Sequence, residues 1–570
     1  MRINKHFFNA FRKHIIYIVL ILVAAVMGSL PLLHSGLYTA HDIWHQVARL
    51  YHYSEAVSDG QFFPTWISTL SQGHGYPLFL FSYHFPWILG TPLVLMGASI
   101  EFALKFLFFV AYLASGWAMY ALAWHITKNK TASLGSAVLY LFAPYHFLTM
   151  YVSAAIGTQF QFAILPLLFL GAAWILDKRP RWGFILLSIS IATGILTHLI
   201  TFAYFMLALL LYIAFILSTT HIAANRKRKI VALLFLSLFL GILLSSFYLV
   251  PFVAYKNEII ASLPGNGFTD IYKSNFASLR QLIYSKWGFG PIISNAKDGE
   301  ISLQIGIAQW LGAFFATLLV ITSMIFRKKF KNENVFFLSL FGLSIFGMLS
   351  ISEPLWSFVT KIVSFDYPFR LLLISVFSGS LLAAFVITSV KKYKLFLYGA
   401  CGFFIMIAMY TNRNHIKVNL YTDVPLDLYV RSETTTNTFH EYLPLGASSQ
   451  LLSKDAQSVA ISENKTSVPI VSNLAQTTNS LFFDVEIATP SAISISQFSF
   501  PGQRLYVNKK FVEHSVDGSG RIQTSLTEGR HSVLVQYEDT TPILFGKVLT
   551  VLGMVFLVRF YIAESRKDEK

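Results

Sequence analysis

The sequence predicts a polytopic α-helical membrane protein of about twelve transmembrane helices, with a C-terminal extracytoplasmic β-sandwich before the last helix. Three observations predict it. Over 570 residues the chain is 55% hydrophobic and only 13% charged, with a mean hydropathy of +0.57. Apolar runs long enough to cross roughly 30 Å of hydrocarbon recur along it. Short basic clusters separate those runs: Lys128/Lys130, Lys178-Arg179-Pro180-Arg181, Arg226-Lys227-Arg228-Lys229, Arg327-Lys328-Lys329 and Lys391-Lys392-Tyr393-Lys394. The clusters read as cytoplasmic loops. The net charge of +16 is thus a topology signal, and no nucleic-acid partner is expected.

The first run, 15–33, follows Arg2, Lys5, Arg12 and Lys13 and reads as an uncleaved signal anchor. Cleavage would leave Asp42 almost at the new N-terminus. Keeping the N-terminus and all five clusters inside gives spans near 15–33, 102–124, 132–149, 158–176, 182–198, 199–218, 230–250, 303–326, 335–350, 369–390, 395–411 and 543–562, with both termini cytoplasmic. The stretch 182–218 has no polar break, but about 55 Å of helix is too long for one crossing, so the chain turns near Thr197-His198. Counting 76–96 as a span breaks the parity. Its Pro77, Pro86, Gly90 and Pro92 suit a short re-entrant or surface-lying hairpin on the outer face.

The helical part, 1–411, carries two outer loops, 34–101 and 251–302. Between 412 and 542 the pattern changes: 481–487 and 532–537 alternate apolar and polar residues, as do Ile493 and Ile495 among serines. Pro501-Gly502, Asp517-Gly518 and Glu528-Gly529 punctuate them. That predicts a small antiparallel β-sandwich. Residues 543–570 form the last helix and a cytoplasmic tail. The single cysteine, Cys401, excludes an intramolecular disulfide.

The stretch 41–52 is the richest in functional groups. As a helix it gathers His41, Asp42, His45, Arg49 and His52 within an arc of about 100°, with Ile43, Trp44, Val47, Leu50 and Tyr51 on the other side. A helix of this kind lies along the membrane surface, apolar face in lipid and ionisable face toward water or a cavity. A plain solvated face is the alternative; the density of acid, arginine and histidine favours a site. A carboxylate there has the chemistry to take the proton of an attacking hydroxyl, which makes Asp42 the candidate catalytic residue. His41 and His45, spaced i, i+4 around Asp42, suit substrate hydrogen bonds or, alternatively, a divalent metal; no metal ligand or cofactor is assigned.

The run Ala40-His41-Asp42, His45, Arg49, Asp59-Gly60-Gln61-Phe62-Phe63-Pro64 and Gly73-His74-Gly75-Tyr76-Pro77 resembles the first outer loop of the YfhO-like, 6-pyruvoyl-tetrahydropterin-synthase-related bacterial membrane proteins. Tyr367-Pro368-Phe369-Arg370, Glu441-Tyr442-Leu443-Pro444 and Phe500-Pro501-Gly502 through Gly520 and Gly529 extend the likeness over nearly the whole chain. The resemblance implies the fold of C-type glycosyltransferases (GT-C). It also implies transfer of a sugar from a polyprenyl-phosphate carrier to a cell-envelope glycan, lipid or protein on the outer face of the cell membrane, with Asp42 at the reaction centre. A lipid-phosphate leaving group needs positive charge, for which Arg49 and Arg370 are the bidentate candidates. One departure stands out: the arginine and second acid common after the third span are replaced by Ser153 and Thr158, which weighs against a metal bridged by two carboxylates.

Gln61, His74 and Trp66 suit a sugar pocket or simple loop packing. His198, at an outer helix turn, suits a site or a structural hydrogen bond, as does His146. Glu441 either closes over the site or is a linker acid. A transporter or flippase of lipid-linked precursors would place charges near mid-membrane in paired, discontinuous helices, and no such repeat is present. A non-catalytic envelope-synthesis partner would not need Asp42, His45 and Arg49 on one face.

Overall fold

The computed structural model describes residues 12–177, 179–263, 271–291, 300–327, 332–361, 366–431, 440–453, 460–462 and 469–568. It is a multi-pass helical bundle with a sheet region near its C-terminus. Among the described residues eight helices are long and apolar enough to cross a membrane: Ile100–Thr127, Ile156–Leu176, Pro180–Thr197, Leu199–Thr219, Ile307–Ile325, Pro368–Ser389, Lys394–His415 and Thr541–Ala563. A ninth counts if Ala224–Leu244 and Ser246–Tyr255, bent by 74° at Ser245, form one broken span.

Three of the twelve expected spans are too short to be counted among these helices. Ile15–Gly28 has 14 residues, because Pro31 turns the rest of the run into the 3-10 helix Leu30–Leu33. Lys130–Leu141 has 12, and a break before Pro144 leads into the short helix Pro144–Phe147 and the π-turn Leu148–Val152. Asn332–Met348 has 17. The expected turn at Thr197-His198 is present: His198 is extended (φ −166°, ψ 96°) between two helices. The 76–96 segment is two pieces, Leu78–Phe81 and Phe85–Leu95; 11 residues reach only about 16 Å, too short to cross.

The amphipathic helix forms as Ile43–Ser58, with Asp42 at its N-cap. Its apolar face is not in lipid. Ile43, Val47, Leu50, Tyr53 and Ala56 are buried in protein, because helices Phe85–Leu95, Ile100–Thr127 and Leu426–Arg431 cover the face.

Strand β1 (Leu37–Tyr38) pairs antiparallel with β2 (Tyr421–Thr422), tying the first loop to the chain that leaves the bundle. The sheet region is formed by β3 (Ala460–Ser462), β4 (Ile470–Gln476), β5 (Ser480–Ile487), β6 (Ser491–Phe498), β7 (Gln503–Val507), β8 (Lys510–Val512), β9 (Ser515–Val516), β10 (Arg521–Leu526) and β11 (Gly529–Tyr537). They make two antiparallel sheets, β3-β6-β10-β9 and β4-β5-β11-β7-β8. The alternating residues Leu481, Phe483, Val485 and Ile487, with Val533 and Val535 beside them in the same sheet, form one core with Ile493, Ile495 and Ile522 of the other. The strands start at Ala460, well after the expected boundary at 412. Residues 412–431 and 440–453 run instead as short helices and straps along the bundle.

The first loop plugs into this sandwich. Trp66 stacks on Tyr537 and Phe500 with centroids 5.6 Å apart in both pairs. Asp59 Oδ2 accepts from the Thr478 amide and hydroxyl at 2.8 and 2.7 Å. Gly75 makes the fit possible: its φ is +86°, and a Cβ there would lie 2.2 Å from the Trp66 ring.

Candidate functional site

A cavity of about 660 Å³ opens where helix Ile43–Ser58, the break at 82–84, the His198 turn, residues 256–262 and the straps at 366–367 and 441–442 meet. Arg49 lines it from the first of these. Its guanidinium carbon lies 5.7 Å from the centre of the Tyr83 ring, and its Nε–H is buried without a partner. Burial disfavours that charge, but Tyr83, Tyr442, Glu441 and Asp42 around it more than offset the cost and raise its pKa. Tyr83 is fixed in turn: its hydroxyl donates to Gln46 Oε1 at 3.0 Å, and Gln46 Nε2 donates to the Ala154 carbonyl at 3.1 Å. Gly157 allows this approach, since a Cβ would stand 2.7 Å from the Thr197 carbonyl and 3.2 Å from the Tyr83 ring.

Arg370 sits in the 3-10 turn Pro368–Leu371, at the mouth of helix Leu372–Ser389. Its Nη2 donates to Asp366 Oδ2 at 2.7 Å. Its Nη1 reaches His198 Nε2 at 2.9 Å and Thr201 Oγ1 at 3.2 Å. Its Nε is buried without a partner, and the guanidinium lies 5.3 Å from the centre of the Tyr367 ring. Asp366, Tyr367 and His198 line the cavity. Burial first, then the Arg370 charge, hold His198 down to about 3, so its imidazole is neutral.

Glu441 lines the cavity with Tyr442 and Lys256. Their strap is held strand-fashion: Ala261 donates to the Glu441 carbonyl, Ile260 to Leu443 and Leu445 to Glu258, each at 2.9 Å. Tyr442 donates its amide to the buried Tyr76 hydroxyl at 2.9 Å.

Asp42 does not line this cavity but stands within electrostatic reach of Arg49, Tyr83 and Tyr367, which do. Its amide donates to the Ser153 carbonyl at 2.9 Å, and the His41 amide to Val152 at 3.0 Å. The segment carrying Ser153, where the family pattern has its arginine and second acid, therefore lies against Asp42. His41 Nε2 is 3.0 Å from the Gly290 carbonyl, and His45 sits one turn from Asp42 with partners of its own. Among the described residues no three His, Cys, Asp or Glu side chains are grouped to hold a metal ion.

Gln61 and His74 lie elsewhere. Gln61 Nε2 donates to Thr478 Oγ1 at 3.0 Å and to the Trp66 carbonyl at 3.2 Å. The His74 ring rests 5.1 Å from Phe498. Both belong to the junction with the sandwich. His146 packs flat on Phe162 at 3.8 Å with Nδ1 3.2 Å from the Tyr140 carbonyl, a structural role. The sequence reading missed Asp366, Tyr83 and Lys256. Only Asp366 left a signal, its i, i+4 spacing to Arg370.

An apolar groove of about 290 Å³ is lined by Tyr204, Leu207, Leu211, Leu343, Leu371 and Ile374, among others. Two chain segments run from the lining of the cavity to that of the groove. Ile200 lines the cavity, and Tyr204, Leu207 and Leu211 follow it within an arc of about 60° on one helix face over about 16 Å. Asp366 and Tyr367 line the cavity, Leu371 and Ile374 the groove, and Arg370 lies between them.

No family model matches the chain. Over 260 residues, 44% of this chain and 42% of the other, it is 24% identical to an uncharacterized protein of Lactococcus lactis subsp. cremoris (strain MG1363). Among solved structures it is similar to the apo oligosaccharyltransferase of Archaeoglobus fulgidus, with a TM-score of 0.44 and 11% identity over 70% of this chain and 55% of that one. It is also similar to the arabinofuranosyltransferase AftD from mycobacteria, with a TM-score of 0.42 and 12% identity over 71% of this chain and 27% of that one. The chain thus spans less than two thirds of the length of each of these proteins. The chemistry of the site is read from its own residues.

Proposed function

We propose that the chain is a membrane glycosyltransferase of the GT-C type that moves a sugar from a polyprenyl-phosphate-linked donor to a cell-envelope acceptor on the outer face of the membrane. One observation carries the reading: Arg49, its Nε–H unpartnered, walls a polar cavity, Arg370 with its own unpartnered Nε–H lies just behind that wall, and the helix face that lines the cavity at Ile200 goes on to line an apolar groove. That combination matches an amphipathic ligand, an anionic head on a hydrocarbon tail. The order of motifs from Ala40-His41-Asp42 to Phe500-Pro501-Gly502 supports a sugar as the transferred group.

In this reading the tail lies in the groove and the phosphate oxygens meet Arg370 and Arg49. The acceptor hydroxyl attacks the anomeric carbon, the bond from that carbon to the phosphate oxygen breaks, and the phosphate leaves with the electron pair. Asp42 takes the hydroxyl proton. The arginines hold the negative charge as it grows on the leaving group. His41 and His45 orient groups around Asp42, and Glu441 closes a wall of the cavity. Both termini are cytoplasmic, and the sandwich stands outside beside the site.

The test is reconstitution of the purified protein in liposomes with a polyprenyl-phosphate hexose and an envelope fraction as acceptor. Sugar covalently joined to the acceptor, with free polyprenyl phosphate formed in equal amount, is expected. Intact donor moved across the bilayer without cleavage would instead establish a flippase.

A further inference from the structure

We propose that His198 is a positioning residue for Arg370: its Nε2 lone pair, acting with Asp366 and Thr201, fixes the guanidinium so that the free Nε–H edge faces the anion. The inference rests on the reading of the cavity as a lipid-phosphate site. A guanidinium only donates hydrogen bonds. The 2.9 Å contact from Arg370 Nη1 therefore requires His198 Nε2 to accept, which leaves the proton on Nδ1. From there it points at Thr201 Oγ1, 3.2 Å away. The Thr201 amide is also directed at Nδ1 from 3.3 Å, as at a helix N-cap; the two cannot both hold, and the shorter Arg370 contact, in which only Arg370 can donate, decides for the proton on Nδ1.

Thr201 Oγ1 also receives Nη1 at 3.2 Å, so the two acceptors from the helix turn grip one nitrogen while Asp366 Oδ2 grips the other at 2.7 Å. Three acceptors on two nitrogens remove the freedom to rotate about the last bonds of the side chain. Of the two N–H groups left over, the one on Nε stays buried and unpartnered. An imidazolium at this place would set N–H against N–H. The site avoids that: desolvation of the half-buried His198 ring comes first, and Arg370 and Arg49 also oppose its protonation while Asp366 favours it. A histidine held neutral acts as a fixed acceptor. The extended backbone at His198, between helices Pro180–Thr197 and Leu199–Thr219, aims the ring across to the helix that begins after Arg370.

The experiment measures binding of farnesyl monophosphate to the full-length protein in detergent, for wild type, His198→Ala, His198→Gln, Arg370→Lys and the His198→Ala/Arg370→Lys double variant, with the melting temperature of each. His198→Ala is expected to weaken binding about 10- to 100-fold, the range for losing a hydrogen bond to a charged group. His198→Gln is expected to recover to within a few-fold of wild type, because its side-chain carbonyl accepts from Nη1. In the Arg370→Lys background, His198→Ala is expected to add less than about 3-fold, since the geometry it serves is gone. Fully additive losses in the double variant, or a Gln variant as weak as Ala with an equally lowered melting temperature, would overturn the positioning role and leave a helix cap. Wild type that binds no farnesyl monophosphate would overturn the lipid-phosphate reading itself, a different result from wild-type binding with additive variants.

Discussion

The junction between the first loop and the sandwich is sensitive to acid at one residue, His74. The ring is 3% exposed, and its Nδ1 has no partner. The backbone carbonyl accepts from the Phe498 amide at 2.7 Å. Burial first, then Arg521, against the opposing pull of Asp517, hold its pKa down to about 4 from 6.5. The packed ring therefore refuses a proton that the detached loop accepts. Above pH 6.5 neither form is protonated and the contact contributes fully. Between 6.5 and about 4 the detached form alone gains the proton, so stability falls as the pH falls. The gap is worth about 3 kcal/mol at its fullest. The assay is the melting temperature of the detergent-solubilised protein at about pH 7.5 and about pH 4.5, for wild type and His74→Gln. Wild type is expected to lose more stability across that window than the variant, which has no group to titrate there. Equal losses in the two proteins would refute the assignment of the acid sensitivity to His74.

The other predictions concern the cavity and the topology. Arg370→Lys keeps the charge and one contact to Asp366 but loses the Nη1 pair and the Nε–H; the KM for the lipid-linked donor is expected to rise roughly 10- to 100-fold. Arg370→Ala is expected to be worse and to lower the melting temperature as well, because it leaves the part-buried Asp366 carboxylate without its partner. Unchanged donor kinetics in both would remove Arg370 from the site. Cysteine labelling is expected to place Lys130, Arg228 and Lys392 inside and Gly60 and Gly502 outside; Lys130 outside would mean that Phe85–Leu95 crosses the membrane.

Much of the bundle was legible because length and charge alone place apolar runs. The turn at His198 followed from the excess length of 182–218, and the alternation through Phe483 and Ile493 announced the two sheets. The short helices were not legible, since a proline such as Pro31 or Pro144 ends a helix inside a run that stays apolar. Likewise, amphipathicity in 43–58 reported which face is buried but not what covers it, and the covering elements come from distant parts of the chain. The site was half readable. Arg49, His198, Arg370 and Glu441 were named from residue type and place, and they meet around one cavity or, for Arg370, behind its wall. Gln61 and His74 share a loop with Asp42, yet the turn at Gly75 carries them to the sandwich. Tyr83 and Asp366 became visible only through their partners, Gln46 and Arg370.

The most direct test of the account is sugar transfer from a polyprenyl-phosphate donor by Asp42→Asn reconstituted in liposomes. The amide keeps the size of the carboxylate but cannot take the acceptor's proton. Turnover is expected to fall roughly 10²- to 10⁴-fold while donor binding and membrane insertion stay normal. Full turnover in Asp42→Asn would contradict the central claim.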